Sequence, residues 1–228
     1  MSGKFYAVGL GPGDPQLLTM KAINVMKDCH VIAVPRSGAA ENVALKIAGD
    51  YILDKEILEC DMPMIKDKEE LNRCHERSAD AISEILEQGK DVAFLTLGDP
   101  AIYSTVMYVH RKLAQRGYQT AMVPGVPSFC GAAASLNISL CEREEMLHII
   151  PATYKGSQAE ELEGTKVLMK SGKTIMKIKD QLADKKAMMV ECATMENERV
   201  YQDLKELKEQ SSYFSLIVIP SEDRQKES

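Results

Sequence analysis

Three short segments combine glycine, proline and a few polar side chains in the manner of small-ligand sites. The first, Val8-Gly9-Leu10-Gly11-Pro12-Gly13-Asp14-Pro15, directly follows an apolar run. Two glycines one residue apart after a strand suggest a dinucleotide loop, which needs the spacing G-x-G-x-x-G so that the third glycine lets helix and strand pack closely. Gly9 and Gly11 fit, but Asp14 stands where the third glycine belongs, and Pro12 stiffens the middle. An aspartate there would also repel a pyrophosphate. A tight strand-to-helix turn with an N-cap is the other reading of these residues. The second segment, Leu97-Gly98-Asp99-Pro100-Ala101-Ile102-Tyr103-Ser104-Thr105, follows the buried-looking run Val92–Leu97. Gly98 lets a ligand approach the backbone. Asp99 can accept hydrogen bonds from an amine or a ribose hydroxyl, or simply cap the helix that Pro100 begins. The third, Val123-Pro124-Gly125-Val126-Pro127-Ser128, precedes the small-residue run Gly131-Ala132-Ala133-Ala134. It suits close approach of a ligand and also suits an interdomain turn.

The elements that must position these loops alternate along the chain. Apolar, β-branched runs predict strands at Phe5–Gly9, Val31–Val34, Val92–Leu97, Gln119–Val123, Leu147–Pro151, Lys166–Met169, Ala187–Glu191 and Phe214–Ile219. Helical spacing joins Leu17, Met20, Ile23 and Val25, with Asp14 available as the cap. It recurs through Ala79, Ile82, Ile85 and Leu86 up to Gly89, and through Val106, Val109 and Leu113 before Gly117. The stretches Ile175–Lys186 and Val200–Glu209 are amphipathic with charged outer faces. This alternation predicts an α/β fold with parallel or mostly parallel sheets. The interruption at Val123-Pro124-Gly125-Val126-Pro127 divides it into two domains, 1–123 and 124–228. Open α/β sheets bind ligands outside the carboxyl ends of their strands, where all three loops fall.

Composition narrows the class. A 45% hydrophobic chain of 228 residues has enough apolar mass for real cores. Its longest apolar runs, such as Leu216 to Ile219, are too short to cross a bilayer. Met-Ser-Gly-Lys runs straight into Phe5-Tyr6-Ala7-Val8 without an apolar leader, which predicts a cytoplasmic protein. A net charge of -6 argues against general nucleic-acid binding while leaving room for a local basic pocket. Cys29, Cys60, Cys74, Cys130, Cys141 and Cys192 are scattered singly, with no zinc or redox spacing. His30, His75 and His110 show no ligand spacing either, and no metal site is expected.

Taken in order, strand-GxGPGDP, LGDPxxYS and VPGVxS resemble the tetrapyrrole methylases, S-adenosylmethionine-dependent enzymes of corrin and sirohaem synthesis. The resemblance runs through essentially the whole chain. The segments GLGPGDPQLLTMKA, GDPAIYST and Ile149–Tyr154 are most similar to the branch that methylates the C-20 meso carbon in cobalamin (vitamin B12) synthesis. What it implies is a two-domain fold with the active-site cleft between the domains, a homodimer, and a tetrapyrrole acceptor, either precorrin-2 or cobalt-factor II. The donor would be S-adenosylmethionine, leaving as S-adenosylhomocysteine. Pro12, Leu97, Gly98, Asp99, Ile102, Pro127, Ser128, Met169 and Ala193 would hold it. Pro127 and Ser128 stand where many relatives have a Thr-Ala pair, and Pro127 cannot donate a backbone hydrogen bond.

Methyl transfer from a sulfonium to an electron-rich ring carbon mainly needs proximity, orientation and a destination for the displaced proton. Asp99 is the expected positioning group, with Tyr103 or Tyr154 handling the proton or orienting the ring. The acceptor's carboxylates call for cations: Arg36 with Ser37, and Lys155, with Lys170 as a weaker candidate. His148 fits a ligand, a base or a structural role. Other readings stay open: a methylase of the same family acting at another ring carbon, a member modifying a protein-bound diphthamide precursor, an NAD-dependent oxidoreductase, or a non-catalytic cofactor-binding module. The missing third glycine speaks against the oxidoreductase.

Overall fold

The computed structural model describes residues 2–36, 42–152, 162–172 and 175–221. The chain divides into two compact units, Met1–Ser128 and Phe129–Ser228. The sequence-based boundary between 123 and 124 lies at the end of the strand that leads out of the first unit.

Five strands build the first sheet: β1 (Lys4–Gly9), β2 (Val31–Pro35), β3 (Glu56–Cys60), β4 (Val92–Thr96) and β5 (Gln119–Val123). They lie in the order β3-β2-β4-β1-β5, and every pairing is parallel. Phe5 pairs with Val92 and Lys4 with Gln119, so β1 sits between two strands made much later in the chain. Side chains alternate between faces along each strand. Val8, Ile32, Val34, Ala93 and Leu95 enter one core with Ala22 and Met26 of helix α1 (Met20–Asp28) and Ile47 of α2 (Val43–Ala48). Phe5, Ala7, Val31, Ala33, Val92 and Phe94 enter the other, against Ala79, Ile82 and Leu86 of α3 (Lys68–Glu87) and Val109 and Leu113 of α4 (Val106–Gln115). Helices thus cover both faces of a sheet whose inner strands are apolar on both sides.

Two local features differ from the sequence reading. Asp14 accepts from the Gln16 N–H at 2.8 Å, but it caps a 3-10 turn, Pro15–Leu17. Helix α1 begins later, at Met20, where the Thr19 hydroxyl accepts from the Ala22 N–H at 3.1 Å. Strand β3 was not expected: its Glu-Ile-Leu-Glu-Cys run lies at the sheet edge and buries only Cys60, so it lacks a strong apolar signal.

The second unit carries β6 (Leu147–Pro151), β7 (Thr165–Met169), β8 (Met188–Glu191), β9 (Arg199–Tyr201) and β10 (Ser215–Ile219), ordered β6-β7-β10-β8-β9. Only β6 and β7 pair in parallel, and the other three pairings are antiparallel. The expectation of mostly parallel sheets therefore fails here. Its cause is the connection between β8 and β10. The Val200–Glu209 stretch, expected as amphipathic helix, forms the short strand β9 and a 3-10 turn, Leu204–Glu206. Without a helical crossover, a returning strand pairs antiparallel. Helix α5 (Ser128–Leu136) leads into this unit, and α6 (Ile175–Gln181) packs Ile175 and Ile178 against Leu168, Met189 and Ile217. Among the described residues, no helix is long and apolar enough to cross a membrane.

Candidate functional site

The strand order brings the three glycine loops together. Strands β4, β1 and β5 are neighbours and point the same way, so their carboxyl ends emerge side by side. Gly11 and Gly98 form an isolated antiparallel bridge, with Gly98 N–H donating to Gly11 at 2.7 Å and Gly11 N–H returning at 3.2 Å. Behind it three backbones touch. A Cβ on Gly9 would lie 2.6 Å from the Gly125 nitrogen and 2.7 Å from the Gly98 oxygen. A Cβ on Gly125 would lie 2.7 Å from the Gly9 carbonyl carbon. No side chain fits at either place. At Gly98, φ is +67°, the left-handed region that glycine enters without penalty.

Asp99 closes this junction. Its Oδ1 accepts from the Ala101 N–H at 2.8 Å and its Oδ2 from the Gly125 N–H at 3.1 Å. Leu97 and Asp99 are half-buried, and Gly98, Pro100 and Pro12 are buried. Ile102 follows in a turn closed by its N–H on the Asp99 carbonyl at 3.1 Å, and Pro127 and Ser128 leave the third loop half-buried. The Ser128 nitrogen is the nearest atom, 3.7 Å away, to a Cβ built on Gly98. Tyr103 has φ +49°, unusual for a bulky residue, and is exposed. Next to it, Ser104 and Thr96 share a hydroxyl hydrogen bond of 2.8 Å across the loop.

Met169 and Ala193 stand at one edge of the second sheet. The register sets Met169 opposite Leu216 and Glu191 opposite Ser215, so β7 and β8 end at the same side of β10. Met169 and Ala193 are both buried. Ala193 lies between two left-handed residues, Cys192 (φ +52°) and Thr194 (φ +66°). Non-glycine residues in this region carry about 1–3 kcal/mol of strain and persist only where their surroundings hold them. Glu198 does so here, accepting from the Thr194 N–H at 2.5 Å and from the Ser135 hydroxyl at 2.6 Å. On the other side, Glu191 accepts from the Ser212 N–H at 2.5 Å.

Arg36, just beyond β2, donates its backbone N–H to the Cys60 carbonyl at 2.6 Å and pairs its side chain with Glu59 at 3.4 Å. Both partners are substantially exposed, so the pair is open to exchange. Burial pushes the nearby Cys60 thiol up to about 11, with Ser78 and Arg36 pulling the other way. Lys170, at φ +63°, places its ammonium 5.7 Å from the Tyr213 ring centroid. His148 shares a 2.8 Å hydrogen bond between Nε2 and the Glu163 carbonyl. Ser37, Tyr154 and Lys155 lie outside the described residues. Among the described residues, no three His, Cys, Asp or Glu side chains cluster as a metal site would require.

Gly9, Gly11 and Gly125 were not singled out as individual site residues, although glycine in each loop was the available signal. Glu198 had none, because nothing in the sequence announces that a glutamate reaches back to an upstream helix.

Comparisons with known proteins give this junction its context. Residues 4–208 match the family described as Tetrapyrrole (Corrin/Porphyrin) Methylases. The chain belongs to that family. It is 37% identical to a probable cobalt-precorrin-2 C(20)-methyltransferase of Methanocaldococcus jannaschii, covering 95% of each chain. A cobalt-precorrin-2 C(20)-methyltransferase of Salmonella typhimurium is 31% identical, with 96% of this chain and 97% of that protein covered. Among solved structures, uroporphyrin-III C-methyltransferase from Thermus thermophilus, complexed with S-adenosylhomocysteine, superposes with a TM-score of 0.68 at 24% identity. That alignment covers 98% of this chain and all of the other.

Proposed function

We propose that this protein transfers a methyl group from S-adenosylmethionine to the C-20 meso carbon of precorrin-2 or its cobalt complex, a step of cobalamin synthesis. The observation that carries the reading is the three-loop glycine junction at the carboxyl edge of a parallel sheet, in a chain alike over its full length to C-20 methyltransferases. Such an edge favours a small ligand held largely by backbone N–H and C=O groups. Without side chains, Gly9 and Gly125 let the loops pack backbone to backbone, and at Gly98, where a Cβ would meet only the Ser128 nitrogen at 3.7 Å, the backbone is open to close approach.

When bound, the donor supplies a methyl on a sulfonium, which leaves as a neutral thioether. Leu97, Gly98 and Asp99 supply backbone contacts to it, Pro12 and Ile102 exclude water, and Pro127 and Ser128 flank it. Met169 and Ala193 hold the adenosine portion. The ring carbon forms the new C–C bond as the C–S bond breaks, and then loses its proton. Tyr103 or Tyr154 orients the ring or relays that proton to water, its hydroxyl taking it up while giving its own away. Arg36, Ser37 and Lys155 meet the acceptor's carboxylates, Arg36 by trading its exposed partner Glu59. The work is orientation and proton handling, for which effective concentration is the dominant resource.

Incubation of the purified protein with S-adenosylmethionine and, separately, precorrin-2, cobalt-factor II and a ring lacking a free C-20 position tests this by mass spectrometry. One added methyl on either of the first two, located at C-20 by NMR, is the expected result. Methylation at another ring carbon, or none on any acceptor, refutes it. The first outcome would favour a family member acting at a different position.

A further inference from the structure

The Asp99 carboxylate is committed to the backbone. Each of its oxygens accepts an amide: one from Ala101, two residues along its own loop, and one from Gly125, on the loop after β5. The second bond is long-range in sequence and joins two segments that the sheet alone does not join, since β1 lies between β4 and β5. Gly9 and Gly125 lack side chains at the place where these segments meet, so the backbones touch there, and the Thr19 hydroxyl donates to the Pro124 carbonyl at 3.4 Å. On the far side, the Gly11–Gly98 bridge ties the loop after β1 to the same residue pair.

Resting on the function proposed above, we propose that the Asp99 side chain is a positioning residue for the methyl donor and takes no part in proton transfer. It staples the loop after β4 to the loop after β5. The backbones of Gly98, Asp99, Gly125 and Val126 then present one pre-set surface to the donor. An amide donating to a charged acceptor is held more firmly than one donating to a neutral one, and pre-setting a binding surface shows in affinity. Replacing the carboxylate frees the Gly125 N–H and lets the two loops move independently.

The test measures Asp99→Ala and Asp99→Asn beside the wild type. Three readouts are needed: hydrogen exchange of the Gly125 amide by NMR, calorimetric affinity for S-adenosylmethionine, and kcat against pH at saturating donor. In Asp99→Ala, Gly125 exchange is expected to speed up about tenfold or more, and donor Kd and KM to rise roughly 10- to 100-fold. At saturation kcat stays within about threefold, with an unchanged pH profile. Asp99→Asn keeps one oxygen and turns an N–H2 toward the other amide, so it falls between the two and serves if the alanine variant does not fold. Unchanged Gly125 exchange in the variants overturns the proposal. So does a kcat that collapses, with its pH profile flattened, while donor KM holds. A wild-type protein that binds no donor would instead sink the functional reading, and Gly125 exchange would still decide whether the carboxylate joins the loops.

Discussion

Replacing Gly9 by alanine tests the glycine junction at its tightest point. The new methyl would stand 2.6 Å from the Gly125 nitrogen, 2.7 Å from the Gly98 oxygen and 2.9 Å from the Gly125 Cα. Ordinary contact begins near 3.4 Å, so the neighbours must retreat by about 0.8 Å. All three atoms are backbone, and none can rotate away as a side-chain tip would. Overpacking of this kind costs about 1–3 kcal/mol, and the upper end applies because two loops and a central strand move together. Gly117→Ala supplies the comparison. There φ is +88° and no atom lies within 4 Å, so only the left-handed backbone is strained, at about 1 kcal/mol. Urea unfolding of both variants gives the stability change, and calorimetry with S-adenosylmethionine gives the affinity. Gly9→Ala should lose donor affinity by roughly tenfold or more beyond its stability loss, because the loops proposed to bind the donor have shifted. Gly117→Ala should bind as the wild type does. A Gly9→Ala protein with wild-type affinity and a stability within about 0.5 kcal/mol of wild type would refute the argument.

Stability should fall on mild acidification, and cysteine reactivity should follow burial. Burial, followed by Lys112, holds the His75 imidazole below its usual range, and burial with Arg111 does the same to His110. The unfolded chain takes up these protons near pH 6.5, so their contribution is complete above that value and is lost as pH drops below it. The thermal midpoint should decline from pH 7 to pH 5.5, and less steeply in a His75→Phe, His110→Gln double variant; parallel profiles for the two proteins would contradict this. Cys29 is pushed up to about 12 by burial, with Asp91 and Asp28 adding to it, and Cys60 to about 11. Iodoacetamide at pH 8 should label exposed Cys141 first and leave Cys29 and Cys60 untouched until urea unfolds the chain. Native labelling of Cys29 at the rate of Cys141, followed by peptide mass mapping, would overturn that ranking.

Much of the first unit could be read from residue patterning, because each inner strand faces two cores and carries apolar residues on both sides. Val31 to Val34 show this, splitting two and two between the faces. Strand β3 escaped because an edge strand whose Ile57 and Leu58 are flanked by glutamates buries little. The direction of the second sheet was not legible, since direction follows from connections. A charged amphipathic stretch such as Val200–Glu209 has the same composition whether it makes a crossover helix or a short strand and a turn. In the site, glycine and proline marked all three loops, but local pattern carries no information on strand order. The bond from Asp99 to Gly125 exists only because β1 lies between β4 and β5. Glu198 was hidden for the same reason, as its partners Thr194 and Ser135 meet only in the folded unit.

The place of β1 in the sheet also governs how this unit can assemble. The strand made first is flanked by β4 and β5, and its opening residue Lys4 donates its N–H to Asp91, 87 residues onward. Neither neighbour of β1 exists when it leaves the ribosome. Strands β2 and β3 pair with each other early, but β1 must wait, apolar and unpaired, until β4 arrives to bridge it to β2. Such long-range closure slows folding and prolongs the exposure of an aggregation-prone segment. The same late arrival means that the glycine junction forms last, when β5 docks on β1 and brings Gly125 against Gly9. With the donor site proposed above, donor binding reports on the completion of folding in this unit, and a ligand that holds the three loops together would act as a pharmacological chaperone for it.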